Sequence, residues 1–146
     1  QEVSEMVAKW LYQVRIKVNT NLSDALRNRE LIGASKEIYK IAEHHGTIPV
    51  CTYDAFCEYC DEAERKGIDE YPLYDWTKQV IEDPIKKQKH TKSFAFYIGD
   101  KQVYEKSIAE SLHTDLSRLY EAGSIEDLTL IDSNPQNNPQ PPEKIK

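Results

Sequence analysis

Hydrophobic and polar residues along this chain switch between a period of two and a period of three to four, and the switches mark its elements. Trp10, Tyr12, Val14, Ile16 and Val18 alternate with Gln13, Arg15 and Lys17, which predicts a strand over 9–18 with one buried face and one wet, basic face. Asn19-Thr20-Asn21 is a turn. Leu31, Ala34, Ile38 and Ile41 then fall at helical spacing, predicting a helix over 28–45. Gly33 weakens it by about 1 kcal/mol relative to alanine, and Gly46 closes it. Ile48-Pro49-Val50-Cys51 reads as a short edge strand, because Pro49 lacks a ladder donor.

Tyr53, Phe56, Cys57 and Cys60 return to helical spacing. They predict a helix over 53–66, with Thr52 as N-cap, Asp54 in the first turn and Gly67 as the stop. Leu73, Trp76, Val80 and Ile81 predict a helix over 73–82 that ends before Pro84. Lys86 to Lys92 reads as a solvated loop. Phe94, Phe96 and Ile98 mark a strand over 93–98, closed by Gly99-Asp100. A helix follows over 102–122 along Val103, Ile108, Leu112, Leu116 and Leu119, then a strand over 125–131.

These elements predict an α+β fold: a small mixed sheet with helices mainly on one face, loosely ferredoxin-like, with a helical insertion at 53–82. Residues 93–132 read as a βαβ unit in which a parallel pair can form. Residues 6–132 are expected to form one domain. The Pro-, Asn- and Gln-rich segment 133–146 is expected to be a disordered tail or linker.

Composition narrows the class. With 146 residues, 39% hydrophobic and 30% charged, the chain can bury a core. No apolar run approaches a membrane span. The acidic Gln1–Glu5 segment does not read as a signal peptide, and Met6 is either a native start or an internal residue of a chain cut from a longer protein. Three cysteines, an odd number, suit a cytoplasmic protein better than a disulfide framework.

The stretch His44–Cys60 holds all the cysteines and two of the four histidines. Cys51, Cys57, Cys60 and His44 (or His45) make up a Cys3His set of the kind zinc accepts, although both close cysteines fall inside a helix. Cys51, at a strand-to-helix turn, is also a candidate nucleophile, which Asp54, Glu58 and Asp61 disfavour by their charge. The plainer reading is buried thiols acting as core, and histidines capping a helix end. Core is the expectation, with no cofactor; zinc is the alternative. Gly99-Asp100-Lys101 lacks phosphate-loop spacing, and His113 and Asp115, two apart on a helix, do not face each other.

Charge suggests the function class. From Cys51 to Asp83 acidic residues outnumber basic ones ten to three, and the stretch is rich in aromatic residues. With no catalytic constellation in view, the chain reads as a regulatory protein that binds another, basic protein. Asp61, Glu62, Glu64, Tyr71 and Tyr74 form the candidate partner face. Lys86, Lys87, Lys89 and Lys92 are an alternative nucleic-acid contact, which a net charge of −6 disfavours. The basic face of the first strand is an anion or RNA surface only if more than solvation explains it.

Overall fold

Alternation along β1 (Tyr12–Lys17) sets the architecture. Val14 and Ile16 are buried, while Arg15 and Lys17 are exposed. The structure is a computed structural model that describes residues 11–99 and 101–132. β1 is followed by α1 (Thr20–Arg27), α2 (Gly33–His44), β2 (Ile48–Cys51), α3 (Thr52–Lys66) and a single 3-10 turn (Ile68–Glu70). Then come α4 (Tyr74–Glu82), α5 (Pro84–Thr91), β3 (Ser93–Tyr97), α6 (Lys106–Glu121) and β4 (Asp127–Asp132).

The four strands form one sheet in the order β2-β3-β1-β4. β3 lies between β1 and β2, and β1 lies between β3 and β4. The two β-α-β units are therefore interleaved. β3 and β4 do run parallel, as the 93–132 unit suggested, but β1 separates them. Every hydrogen-bonded pair is antiparallel, so the sheet is not mixed. This is the split β-α-β order of the ferredoxin-like layout, with α3, α4 and α5 inserted between β2 and β3.

Side chains on one sheet face meet α2 and α6. Val14, Ile16, Phe94 and Phe96 pack there with Ile38 and Ile41 of α2 and with Leu112 and Leu116 of α6, all nearly or fully buried. Each such side chain contributes roughly 1.5–3 kcal/mol by leaving water. Tyr104 closes this core. Its backbone bridges Tyr12, and its hydroxyl donates to the Phe96 carbonyl at 2.8 Å. Burial pushes the phenol up to about 12.

Three boundaries depart from the periodicity. The 28–45 helix is two helices. Asn19 Oδ1 accepts from Leu22 N at 2.8 Å and starts α1 early. Arg29 and Gly33 then take φ of 57° and 53°, left-handed values that break a helical ladder. The 102–122 helix starts at Lys106, because Lys101 and Tyr104 are held in bridges to Ile98 and Tyr12. Lys86–Lys92 is no loop. Asp83 Oδ1 caps Ile85 N and Lys86 N, and Pro84 stands at the first position of α5.

The insertion carries a small core of its own, with Cys60 and Ala63 of α3 buried against Thr77 and Val80 of α4. Among the described residues no helix is long and apolar enough to cross a membrane. The readings of Met6, Trp10 and the 133–146 tail lie outside the described residues.

Candidate functional site

The second face of the sheet bears a groove. Across the strands, Arg15 stands between Ala95 and Thr129, and Lys17 between Ser93 and Asp127. Val50 continues the first row on β2. Most of these neighbours are small, so the two long cations stand over a shallow floor. The insertion contacts β2 and β3 and supplies a wall that includes Phe56, Tyr59, Trp76 and His90. The groove's volume is about 790 Å³, within the roughly 300–1,000 Å³ of small-molecule sites.

The wall is ordered by ring contacts. Phe56 meets Trp76 edge to face at 5.9 Å and His90 at 5.2 Å. Trp76 still keeps 45% of its surface exposed. Tyr59 is fixed by accepting from Leu73 N at 3.1 Å and by an edge contact with Tyr71. At the sheet margin, Thr52 Oγ1 donates to Ser93 Oγ at 3.2 Å. Gln13 is buried. Its amide nitrogen donates to the Gln102 carbonyl at 3.0 Å, while its oxygen accepts from Arg15 Nε at 2.6 Å. That contact orients the guanidinium, and its terminal nitrogens have no hydrogen-bond partner among the described residues.

The electrostatics are one-sided. The lining holds Arg15, Lys17 and Lys89 against one carboxylate, Asp127. The ion pairs of the described residues join Arg27 to Asp54, His45 to Asp115, Lys66 to Glu62, Lys78 to Glu64 and Glu82, and Lys106 to Glu110. None engages the three groove cations. Burial, and then the charges of Lys89, Arg15, Lys86 and Lys17, hold the His90 imidazole below its ordinary value. Burial raises the Tyr97 phenol, with Arg15 opposing and Glu58 reinforcing the shift.

The residues singled out in the sequence are placed elsewhere or divided. Among the described residues no group of three or more His, Cys, Asp or Glu could hold a metal ion. Cys51, Cys57, Cys60 and His44 are therefore not assembled into a Cys3His set. A helix fixes Cys57 and Cys60, Cys60 faces the insertion core, and His44 stands at the end of α2. Cys51 is buried at the end of β2, and its thiol donates weakly to the Thr91 and His90 carbonyls at 3.4 and 3.7 Å. Burial raises the Cys51 thiol, as it does Cys60. That opposes the thiolate a nucleophile needs.

Of the acidic set, Asp61 is exposed. Glu62 accepts from the Tyr71 hydroxyl at 2.6 Å, and Glu64 accepts from the Tyr74 hydroxyl at 2.7 Å and from Lys78 at 3.1 Å. These bonds lower both carboxyls and raise both phenols, Tyr71 to about 12. Four of the five residues thus tie α3 to the segment after it. The lysines divide as well. Lys89 faces the groove, Lys87 lies over the Tyr53 ring at 5.4 Å, and Lys87 and Lys92 line a second, 310 Å³ hollow beside α1.

Sequence reasoning read the cations of β1 but not their enclosure. It also missed the 2.6 Å contact between His45 and Asp115, which join the end of α2 to α6. The i,i+2 test of His113 with Asp115 was sound, and the aspartate's partner lies 70 residues away. Comparison of the chain with protein-family models, with curated proteins and with solved structures finds no match.

Proposed function

We propose that the chain is a binding module whose sheet groove takes an anionic ligand bearing a flat ring. The observation that carries this reading is the pair Arg15 and Lys17. They are exposed on the groove floor, have no ion-pair partner among the described residues, and lie below a wall of aromatic rings. Exposed cations on a strand need no ligand when water surrounds them. Here an aromatic wall stands beside them, and three cations against one carboxylate favour an incoming negative charge. The exposed Trp76 offers a flat apolar surface for a ring.

The acidic side of the insertion is less well supported as a docking face, because Glu62 and Glu64 already bond to its own tyrosines. The test is titration with anilinonaphthalene sulfonate, a flat-ringed sulfonate that brightens when desolvated. One saturable site is expected in the native protein, lost when Arg15→Glu and Lys17→Glu are combined. Binding that survives the double substitution refutes the reading.

A further inference from the structure

We propose that the occupant of this groove is a single-stranded nucleic acid laid across the sheet, its phosphates on Arg15 and Lys17 and its bases against the aromatic wall. The proposal rests on the anion-binding reading above and names its ligand.

The dimensions come first. The groove is lined from Val50 on β2 to Ile131 on β4, so it crosses the whole sheet. Three inter-strand steps at ~4.8 Å make about 14 Å, more than one nucleotide needs. The insertion contacts β2 and β3, while Arg15, Lys17, Asp127 and Thr129 are exposed. The β1–β4 side is therefore open, and a longer strand can run out over it.

The cations come second. Arg15 and Lys17 are alternate residues of one strand, so their attachment points lie about 6.8 Å apart. That row runs along β1, roughly at right angles to the cross-sheet path, so the two cations flank the backbone where it passes over β1. Lys89 adds a third positive charge from the wall. A single carboxylate carries one charge against three, and a free phosphate, which both long side chains can reach, brings no ring to the wall.

The rings come third. An acidic peptide satisfies the cations but offers a ring to Trp76, Tyr59 and Tyr97 only where it carries an aromatic residue. Bases bring one per nucleotide, and stacking on aromatic side chains tolerates any sequence. A duplex keeps its base faces stacked inside and presents none. The net charge of −6 does not oppose this locally. Among the described residues of the lining, Asp127 is the only carboxylate.

The experiment is fluorescence anisotropy of an end-labelled short oligouridylate with the full chain. It is run beside polyglutamate and uridine monophosphate as competitors, and the variants are checked for native circular dichroism. The oligonucleotide should bind, and Arg15→Ala with Lys17→Ala should weaken it at least tenfold. The pair should also flatten the slope of log affinity against log salt by about 1.4, the value for two phosphates on a single strand. Trp76→Ala, at an exposed position, should cost about tenfold through lost stacking. Lys36→Ala, exposed on α2 across the sheet, should change nothing.

Oligonucleotide binding indifferent to Arg15 and Lys17 overturns the proposal. So does displacement of the oligonucleotide by equimolar polyglutamate or uridine monophosphate. A chain that binds the sulfonate probe through Arg15 and Lys17 but ignores the oligonucleotide loses this inference and keeps the broader reading. A chain that binds neither loses both.

Discussion

The two faces of the sheet use the same strands for opposite ends. On one face Val14, Ile16, Phe94 and Phe96 are at most 1% exposed beneath α2 and α6. On the other, one residue along from each, Arg15, Lys17, Ser93 and Tyr97 line a groove. A one-residue shift in register would exchange the two sets. The apolar face therefore fixes the register on which the polar face depends. Stability and binding should separate cleanly between alternate residues of β1 and β3.

The largest test of that separation is Phe96→Ala, which should cost about 3–5 kcal/mol by leaving a cavity under two helices. Lys17→Ala on the other face should stay within about 0.5 kcal/mol while weakening anion binding severalfold. Urea unfolding of both variants, with the sulfonate titration alongside, checks the pair. Comparable destabilisation by the two would dissolve the distinction.

Next in size is Tyr104→Phe. The hydroxyl is buried and donates to the Phe96 carbonyl, so its loss leaves a buried acceptor short of a partner. Such a deletion costs about 1–3 kcal/mol. The midpoint of urea unfolding should fall, with the groove's ligand affinity unchanged, because Tyr104 serves the covered face.

Much of the covered face was legible in sequence. Alternation over 9–18 and 93–98 located both central strands, which run Tyr12–Lys17 and Ser93–Tyr97, and Pro49 correctly suggested the edge position of β2. Two kinds of information were missing. Backbone reversals at Arg29 and Gly33 divided one apolar stripe into two helices, and no period reveals an arginine with positive φ. Asp83-Pro84 was a visible helix start that the run of lysines obscured. The groove was harder still. Arg15 and Lys17 read as a wet face, and Phe56 and Trp76 as core or interface. Only the insertion's placement beside β2 and β3 brings the two sets together, and that depends on tertiary contacts. The cysteines show the converse: among the described residues, close spacing in sequence does not gather a ligand set in space.

A smaller effect separates the thiols. Cys51 and Cys60 are buried, whereas Cys57 is partly exposed, and burial keeps the first two protonated. A disulfide reagent at neutral pH should titrate one thiol quickly in the native protein and all three after unfolding. Fast reaction of Cys51 would instead restore it as a nucleophile.

The smallest predicted effect tests the groove by pH. His90 is held below its ordinary value of 6.5 by burial and then by Lys89, Arg15, Lys86 and Lys17, with the Phe56 ring against it. The folded state therefore binds fewer protons than the unfolded state between the lowered value and about 6.5. Stability rises with pH across that window and falls on acidification, the loss becoming complete below the folded value. His90→Gln should remove this part of the acid sensitivity. Arg15→Ala and Lys17→Ala should move the imidazole back toward 6.5, followed by its ring proton shifts. An anion seated on those cations should act in the same direction, because it cancels the charge that keeps His90 neutral. Ligand binding should then take up a proton and tighten as pH falls through the window. An imidazole whose titration ignores both the substitutions and a bound anion would mean that the two faces of the sheet differ in burial but not in field.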